Sequence, residues 1–348
     1  MRRQPCNLRW HFRIVAALPT AGSGGAIGRL VATRHQLDSY AGSVTIWWIT
    51  GARGFLGSNL AVALPDTFAT LGVVRPNSGK VHFRQQLDCD LRDTNQLIRN
   101  VREVRPSIIF HGAAIAGHET AARDPDQAFD VNVRATEALA AVSSEIGARL
   151  VYISTDAIFS GQRGDYTEDD PVEPFSLYGE TKLAGEDAVR RELEDHLIVR
   201  TNFFGWSETG SKSILEFFVN SLRSNASVNG YVDFVVTSIY VQSLLKTIFQ
   251  LNDISAIGTF NIVSSNPLSK YEFGKAVAKT FNLNDSLIRA SISSSEIHTT
   301  SRNRNLSLNT AKVASILGRR MPTQEEGLLA ALKEESFLTS LLHYVHDS

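Results

Sequence analysis

From residue 44 onward, apolar and polar positions alternate on the scale of secondary-structure elements. Short apolar runs of strand length lie at 44–50, 70–74, 81–87, 107–110, 149–154 and 197–201. Between them, apolar residues recur at helical spacing within 59–64, 126–146 and 179–194. This order is typical of parallel βαβ units, and we predict an α/β fold with a Rossmann-type doubly wound parallel sheet. Ligands of such a sheet bind beyond the carboxyl ends of its strands.

The alternation becomes less regular after Gly205, which indicates a second, smaller lobe. Candidate helices lie at 214–222, 270–281 and 310–316, a candidate strand lies at 259–263, and polar loops are expected at 225–236. We predict an NAD(P)-binding core at 44–205. The remaining residues, 206–348, are predicted to form mainly a C-terminal substrate-binding lobe, with some segments returning to the core.

Residues 1–43 differ in composition from the rest of the chain. Six arginines precede the first acidic residue, Asp38, and glycine and serine cluster at 21–28. We expect a disordered extension here, with a transit peptide or a weak secretory signal as the alternatives. The glycines of this segment are not interpreted as a phosphate loop, because no convincing strand precedes them.

Charge and composition narrow the classes of partner. Lysine plus arginine number 35 and aspartate plus glutamate 36, so the net charge of −1 favours neither nucleic acid nor an acidic membrane surface. Cys6 and Cys89 are too few for a disulfide framework, and no apolar run reaches the roughly 18 residues that span a bilayer. We expect a cytoplasmic protein without a metal site, in which His111 and His118 are ordinary loop residues.

The strongest local motif is a glycine-rich stretch, TGARGFLG, at 50–57. Its first glycine permits a tight turn, its second lets the backbone approach a pyrophosphate, and its third lets the following helix pack closely on the strand. The N-terminus of that helix offers free N–H groups and a positive dipole end to phosphates. The candidate cofactor-binding residues of this motif are Gly51, Arg53, Gly54, Phe55, Leu56 and Gly57.

The end of the second predicted strand indicates which dinucleotide is bound. An NAD-specific protein often carries an acidic residue there for the ribose 2′-hydroxyl, whereas this chain has Arg75. Together with Arg53, it could hold a 2′-phosphate through charge-assisted hydrogen bonds, so NADP(H) is favoured and NAD(H) stays open. Ala113 and Ala114 follow the strand at 107–110. Small residues there let a cofactor lie against the sheet edge, or let a helix pack closely.

Tyr178 and Lys182 form the candidate catalytic pair, because residues four apart on a helix share one face. We expect the lysine charge to lower the tyrosine pKa, so that Tyr178 acts as an acid or base near neutral pH. The same ammonium could hold the nicotinamide ribose. Thr155, at the end of the strand from 149, could bind the substrate oxygen beside Tyr178, with Ser154 as the alternative hydroxyl.

In combination these features resemble the extended short-chain dehydrogenase/reductases, in particular the dTDP-4-dehydrorhamnose reductase group. The similar stretches are 50–57, 154–161, 166–171, 178–186, 198–201, 239–241 and 302–310. The resemblance implies that Thr155, Tyr178 and Lys182 are the catalytic set. It also implies that Asp90 and Leu91 flank the adenine, although a turn-forming role for Asp90 is the competing explanation.

The resemblance further implies a nucleotide-linked sugar as substrate. Its candidate contacts are Arg200, Asn202, Tyr240 and Arg302. Two departures from the pattern bear on the reaction. Ala157 follows Asp156, where dehydratases have an acidic residue and the reductases usually an aromatic one, and Asn303 follows Arg302, where a proline is usual. Dehydration is therefore disfavoured, and the departures give no support to recognition of a rhamnose-type sugar.

The leading interpretation is a reductase that converts a keto-sugar nucleotide to an alcohol with NADPH. An epimerase is the alternative among enzymes, because it would use the same tyrosine and lysine. A non-catalytic regulatory subunit that binds NADP is the alternative outside them. A homodimer is compatible with the predicted fold.

Overall fold

The structure is a computed structural model that describes residues 45–65, 67–293 and 304–343. Its strands are β1 (Ile46–Thr50), β2 (Ala69–Val74), β3 (Gln85–Asp88), β4 (Ile108–His111), β5 (Arg149–Thr155), β6 (His196–Thr201), β7 (Phe203–Phe204), β8 (Val228–Tyr231), β9 (Phe234–Val236), β10 (Ile239–Tyr240), β11 (Gly258–Asn261), β12 (Leu268–Ser269), β13 (Ile288–Ser291) and β14 (Arg304–Asn305). Its helices are α1 (Phe55–Ala63), α2 (Thr94–Val104), α3 (His118–Arg123), α4 (Pro125–Phe129), α5 (Ala135–Ile146), α6 (Leu177–Glu192), α7 (Ile214–Arg223), α8 (Val241–Asp253), α9 (Lys270–Thr280), α10 (Ala311–Leu317) and α11 (Gln324–His343). The extension predicted at 1–43 lies outside the described residues.

Seven parallel strands form the central sheet, in the spatial order β3-β2-β1-β4-β5-β6-β11. The order reverses direction between β1 and β4, and the carboxyl ends of strands at such a point open a crevice for a ligand. The side chains of the inner strands are almost all buried, since helices cover both faces. The predicted doubly wound α/β fold is confirmed.

Two adjacent tryptophans of β1 show how the two faces are covered. Because successive side chains of a strand point to opposite faces, Trp47 and Trp48 enter two different hydrophobic clusters. Trp47 packs edge-on against Phe249 of α8, with 5.9 Å between the ring centroids. Trp48 packs in the cluster of Leu97 from α2 and Leu139 from α5. Helices from the second half of the chain therefore complete the core on one face of the sheet.

The second half contains more regular structure than the sequence indicated. Residues 225–236, expected as polar loops, contain β8 and β9. β8 pairs with β13, and β9 pairs with β12 and β14. These partners are remote in sequence, so local polarity could not reveal the pairing. β11 returns to the central sheet beside β6, while the division of the chain at residue 205 stays a prediction.

Two predicted elements of the first half differ from expectation in their bounds or continuity. β3 begins at Gln85 rather than at residue 81, because its pairing with β2 starts there. The helix expected at 126–146 is divided by a π-turn at Asp130–Arg134. Within the described part of the chain, no helix is long and apolar enough to cross a membrane.

Candidate active site

The glycine loop between β1 and α1 is folded too tightly for side chains at two positions. Gly51 has a φ of 71°, and a Cβ there would lie 2.8 Å from the backbone N of Ala113. A Cβ at Gly57 would collide with the carbonyl oxygen of Gly51. Gly54, the N-cap of α1, provides no side-chain cap, and the first turn carries no acidic residue. The positive end of α1 is therefore left for an anion, as a pyrophosphate requires.

A buried hydrogen-bond network fixes the loop after β4 against this glycine loop. Thr50 Oγ1 lies 2.7 Å from Nδ1 of His111 and accepts a hydrogen bond from the backbone N of Ala113 at 3.2 Å. The other ring nitrogen of His111 lies 2.9 Å from Oγ1 of Thr136. Burial lowers the pKa of His111 to about 3, so the ring is neutral. His111 is thus a buried residue of β4 and not the loop residue that we expected.

Arg53, Arg75 and Asp90 gather near the carboxyl ends of β2 and β3. A Cβ on Gly79 would lie 3.0 Å from the guanidinium of Arg53, so this side chain extends over the loop after β2. Arg75 is exposed in the same loop, and its charge contributes to the lowered pKa of Asp90. The two arginines therefore lie on the same side of the sheet edge, and their role at a 2′-phosphate stays a prediction.

The Asp90 carboxylate accepts hydrogen bonds from Arg92. The Arg92 side chain donates to both oxygens of this carboxylate, from Nε at 3.0 Å and 3.1 Å and from Nη2 at 2.6 Å, and these hydrogen bonds are the main cause of the lowered Asp90 pKa. The backbone N of Arg92 donates to it as well, at 3.0 Å, which is the geometry of a turn-forming aspartate. Leu91 is buried. The adenine-flanking role of both residues stays a prediction.

A cavity of about 240 Å³ opens at the carboxyl edge of the sheet. Its walls are formed by Gly117, His118, Thr155, Asp156, Ala157, Tyr178, Thr201, Asn202, Phe203, Phe234 and Leu306. The ring of Phe203 lies 5.4 Å from that of Phe55, the first residue of α1. This contact joins the start of α1, next to the glycine loop, to the wall of the cavity.

Three of the predicted site residues line this cavity: Thr155, Tyr178 and Asn202. Tyr178 lies near the start of α6, where Ser176 caps the helix by accepting from the backbone N of Gly179 at 3.3 Å. Thr155 is the last residue of β5. Burial raises the pKa of Tyr178 to about 12, while a hydrogen bond with Thr155 acts in the opposite direction.

Lys182 lies one turn after Tyr178 but does not lower the tyrosine pKa as expected. Its ammonium sits 3.9 Å from the centre of the Tyr152 ring, and burial lowers the pKa of Lys182 to about 7. A lysine that is half neutral near pH 7 and directed at another ring is a weak electrostatic influence on Tyr178. Burial, which disfavours the phenolate, has the larger effect.

Behind α6, Glu186 and Arg200 form a buried ion pair. Arg200 Nη2 lies 2.9 Å from Oε2 of Glu186, and both side chains are at most 4% exposed. Ser154 donates its hydroxyl proton to the same carboxylate, and Arg200 also donates to the backbone carbonyl of Glu168. Two predictions are thereby corrected. Ser154 is not the hydroxyl of the cavity, and Arg200 is committed to Glu186 rather than to a substrate.

Asn202 links the cavity wall to the second half of the chain. Its Nδ2 donates to Asp156 at 2.9 Å, and its Oδ1 accepts from the hydroxyl of Ser238 at 2.7 Å. Asp156 accepts a further hydrogen bond from Thr155 at 3.1 Å. Burial nevertheless raises the pKa of Asp156 to about 6. The cavity therefore holds a carboxyl group that can ionise near neutral pH.

Two further substrate predictions have different outcomes. The Tyr240 side chain is 1% exposed, does not line the cavity, and donates its hydroxyl proton to Glu334 of α11 at 2.6 Å. The predicted substrate contact of Tyr240 is corrected for that reason. Arg302 lies outside the described residues.

The structure adds two residues that the sequence did not single out. His118 begins α3, lines the cavity and has its Nδ1 2.8 Å from the hydroxyl of Ser176, so it is not an ordinary loop residue. Asn132, in the π-turn, accepts from the backbone N of Ile115 at 2.8 Å and donates to Thr181 on α6 at 2.9 Å. The π-turn therefore ties the loop after β4 to α6, and such turns are frequent at functional sites.

The sequence match to a known family spans this whole arrangement. Residues 46–337 match the family described as RmlD substrate binding domain. The chain belongs to this family. The RmlD match includes the glycine loop, α6 and the walls of the cavity, and it confirms the resemblance to the dTDP-4-dehydrorhamnose reductase group.

Individual relatives include both a probable enzyme and a subunit of another enzyme. The probable low-salt glycan biosynthesis reductase Agl14 of Haloferax volcanii is 27% identical, over 81% of this chain and 96% of that protein. Methionine adenosyltransferase 2 subunit beta of Xenopus laevis is 30% identical, over 79% of this chain and 83% of that protein. A crystal structure of dTDP-4-dehydrorhamnose reductase from Bacillus anthracis in complex with NADP matches with a TM-score of 0.72 and 26% identity, covering 84% of this chain and 99% of that one.

Proposed function

We propose that this protein is an NADPH-dependent reductase of a keto-sugar nucleotide. The observation that carries the proposal is the cavity in which Tyr178 and Thr155 meet, joined to the glycine loop by the contact of Phe203 with Phe55. The RmlD family membership supports it, as do the similarities to a probable reductase and to a reductase solved with NADP.

The residues present suit a dinucleotide at this edge of the sheet. Gly51, Gly54 and Gly57 leave room for backbone contact with a pyrophosphate, and Arg53 and Arg75 would hold a 2′-phosphate. When bound, NADPH supplies a hydride to a carbonyl carbon.

Tyr178 is suited to the accompanying proton transfer. With a pKa of about 12 its phenol is protonated at neutral pH, and it can donate that proton to the alkoxide that forms as a carbonyl is reduced. Thr155, which hydrogen bonds with Tyr178, would bind the same substrate oxygen. Asn202 and Asp156 offer hydrogen bonds to the hydroxyl groups of a sugar. In its charged form Lys182 would hold the nicotinamide ribose.

The test is consumption of NADPH with a panel of 4-keto sugar nucleotides, compared between the wild type and Tyr178→Phe. We expect the variant to lose activity by about a hundredfold or more, because the proton donor is removed while the ring remains. Tyr271→Phe, on α9 and outside the cavity walls, is the matched control and should keep full activity. Equal turnover of Tyr178→Phe and the wild type would refute the role of Tyr178.

One relative favours a second candidate function. The 30% identity to methionine adenosyltransferase 2 subunit beta supports a subunit that binds NADP and regulates a partner enzyme. Tight NADP binding without NADPH consumption on the whole panel would favour that function. Conversion of a sugar nucleotide without net NADPH consumption would instead indicate an epimerase.

A further inference from the structure

Lys270 lies beside the cavity and has no part in the proposed reaction. Its Nζ is 4.4 Å from the centre of the Phe234 ring, which lines the cavity. Its positive charge also acts on the pKa of Asp156 and of His118, two further residues of the walls. The ammonium therefore lies beside the cavity wall, near enough for its charge to act on groups inside the cavity.

This position is unfavourable for a lysine without a ligand. Lys270 is the first residue of α9, where the helix dipole presents its positive end. The side chain is only partly exposed, and burial lowers its pKa. Lys270 makes no hydrogen bond and no ion pair with any other residue in the described ranges. The Asp156 carboxylate, which acts on it by charge, accepts its hydrogen bonds from Thr155 and Asn202.

Lys275, on the same helix, differs from Lys270 in having a hydrogen-bonded partner. Its Nζ donates to the backbone carbonyl of Asp285 at 2.9 Å and lies 3.1 Å from a carboxylate oxygen of the same residue. Lys275 therefore has a structural partner at the surface. Lys270 instead lies against Phe234 of the cavity wall, and the partner that would offset its desolvation is an anion in that cavity.

A second positive charge, that of Arg304, also acts on the cavity wall. Burial lowers the pKa of His118, and the charges of Arg304 and Lys270 lower it further. The guanidinium of Arg304 lies 3.6 Å above the Phe175 ring, and that ring is 4.9 Å from His118. Two cations therefore act on one wall residue, and their positive charge favours a negative group in the cavity.

We propose that Lys270 binds an anionic oxygen group of the substrate. This group is either the diphosphate of a nucleotide sugar or a carboxylate on the sugar itself. The ammonium is already partly desolvated against Phe234, so a charge-assisted hydrogen bond forms there at little further cost of dehydration. The inference rests on the proposed function, since it assigns the substrate class of the same cavity.

The experiment is calorimetric binding to the NADP⁺-loaded protein, with UDP and dTDP as diphosphate probes, D-glucuronate as a carboxylate probe, and thymidine as a neutral control. We expect Lys270→Met to bind at least one anionic probe about tenfold more weakly than the wild type. Thymidine binding should not change, and Lys275→Met should match the wild type throughout. The probe that is weakened identifies the diphosphate or the carboxylate as the source of the anion.

The proposal is overturned if Lys270→Met binds every anionic probe like the wild type, or if the wild type binds none of them. Unchanged NADP⁺ binding and an equal or higher melting temperature are expected for Lys270→Met, since the cation that is removed has no ion pair among the residues that the structure describes. If that variant does not fold, Lys270→Gln replaces it in the same comparison, with the same expected loss.

Turnover with the keto-sugar nucleotides separates this inference from the proposed function. Anion binding that depends on Lys270, without any NADPH consumption, would support the inference about Lys270 and refute the proposed reductase function. If Lys270→Met consumes NADPH with an unchanged KM for the keto-sugar nucleotide, the proposed function is supported and the role of Lys270 is refuted.

Discussion

Burial sets the protonation of the ionisable side chains in and behind the cavity. It raises the pKa of Tyr178 to about 12 and that of Asp156 to about 6, and it lowers that of Lys182 to about 7. Each shift favours the neutral form of the group. The sequence indicated that Tyr178 and Lys182 share a helix face, but it could not show that the lysine would face the Tyr152 ring.

Asp156 makes the stability of the folded protein depend on pH. Its folded pKa of about 6 lies above the ordinary value of 3.8, so its contribution to stability is fully present below pH 3.8 and is lost as the pH rises through about 6. Asp156→Asn should therefore raise the free energy of unfolding at pH 7.5 by about 3 kcal/mol and change it little at pH 4.

Urea unfolding at the two pH values measures this difference. Asp169→Asn, at an exposed position, is the control and should have the same small effect at both pH values. A gain from Asp156→Asn that is equal at both pH values would show that the burial of its charge is not the cause.

Arg53 and Arg75 set the cofactor preference that we expect. Replacing either with alanine should raise the KM for NADPH about tenfold and leave the KM for NADH nearly unchanged, because only NADPH carries the 2′-phosphate. Steady-state kinetics with both cofactors checks this. Arg289→Ala, an exposed arginine on β13, should affect neither value. An equal rise in the KM values for NADPH and NADH would argue against a 2′-phosphate site.

At the scale of elements, α6 organises the site. Tyr178, Lys182 and Glu186 follow one another at intervals of four residues, so the helix presents an acid, a cation and an ion-pair anchor along one side. Glu186 ties α6 to β6 through Arg200, and Asn132 ties it to the loop after β4 through Thr181. The helix is therefore held in place both by the sheet and by the loop after β4.

Arg200→Met tests the anchor. The substitution leaves the buried Glu186 carboxylate without its main partner, and it should lower the free energy of unfolding by about 3 kcal/mol. Arg223→Met breaks an exposed ion pair with Glu335 and should cost less than about 1 kcal/mol.

Unfolding in urea compares the two variants. A cost for Arg200→Met as small as that for Arg223→Met would show that Ser154 and Arg190 hold the Glu186 carboxylate adequately without Arg200.

Two helices that we did not predict have a recognisable pattern of apolar residues in the sequence. α8 has buried apolar residues at Val241, Leu244, Leu245 and Ile248, which is the spacing of an amphipathic helix. α2 likewise buries Leu97, Val101 and Val104 on one side. β8 and β9 had no such signal, because each is defined by pairing with a strand remote in sequence.

At the scale of the molecule, the two halves of the chain share one core. Trp47 and Ile49 of β1 belong to the same hydrophobic cluster as Leu244 of α8 and Leu328 of α11. β11 extends the central sheet from the second half of the chain. The strand-and-helix order of residues 44–205 therefore describes a sheet of which one face is covered partly by helices from the rest of the chain.

The sequence by itself determined the fold class, the glycine loop and the shared face of Tyr178 and Lys182. These features depend on residues close together along the chain, where spacing alone fixes the geometry. Tertiary structure decided that Thr155 rather than Ser154 lines the cavity, and that Arg200 and Tyr240 are committed to Glu186 and Glu334. It also placed the Lys270 ammonium against Phe234 of the cavity wall. Each of these outcomes depends on packing between segments far apart in sequence, which also sets how deeply a charge is buried.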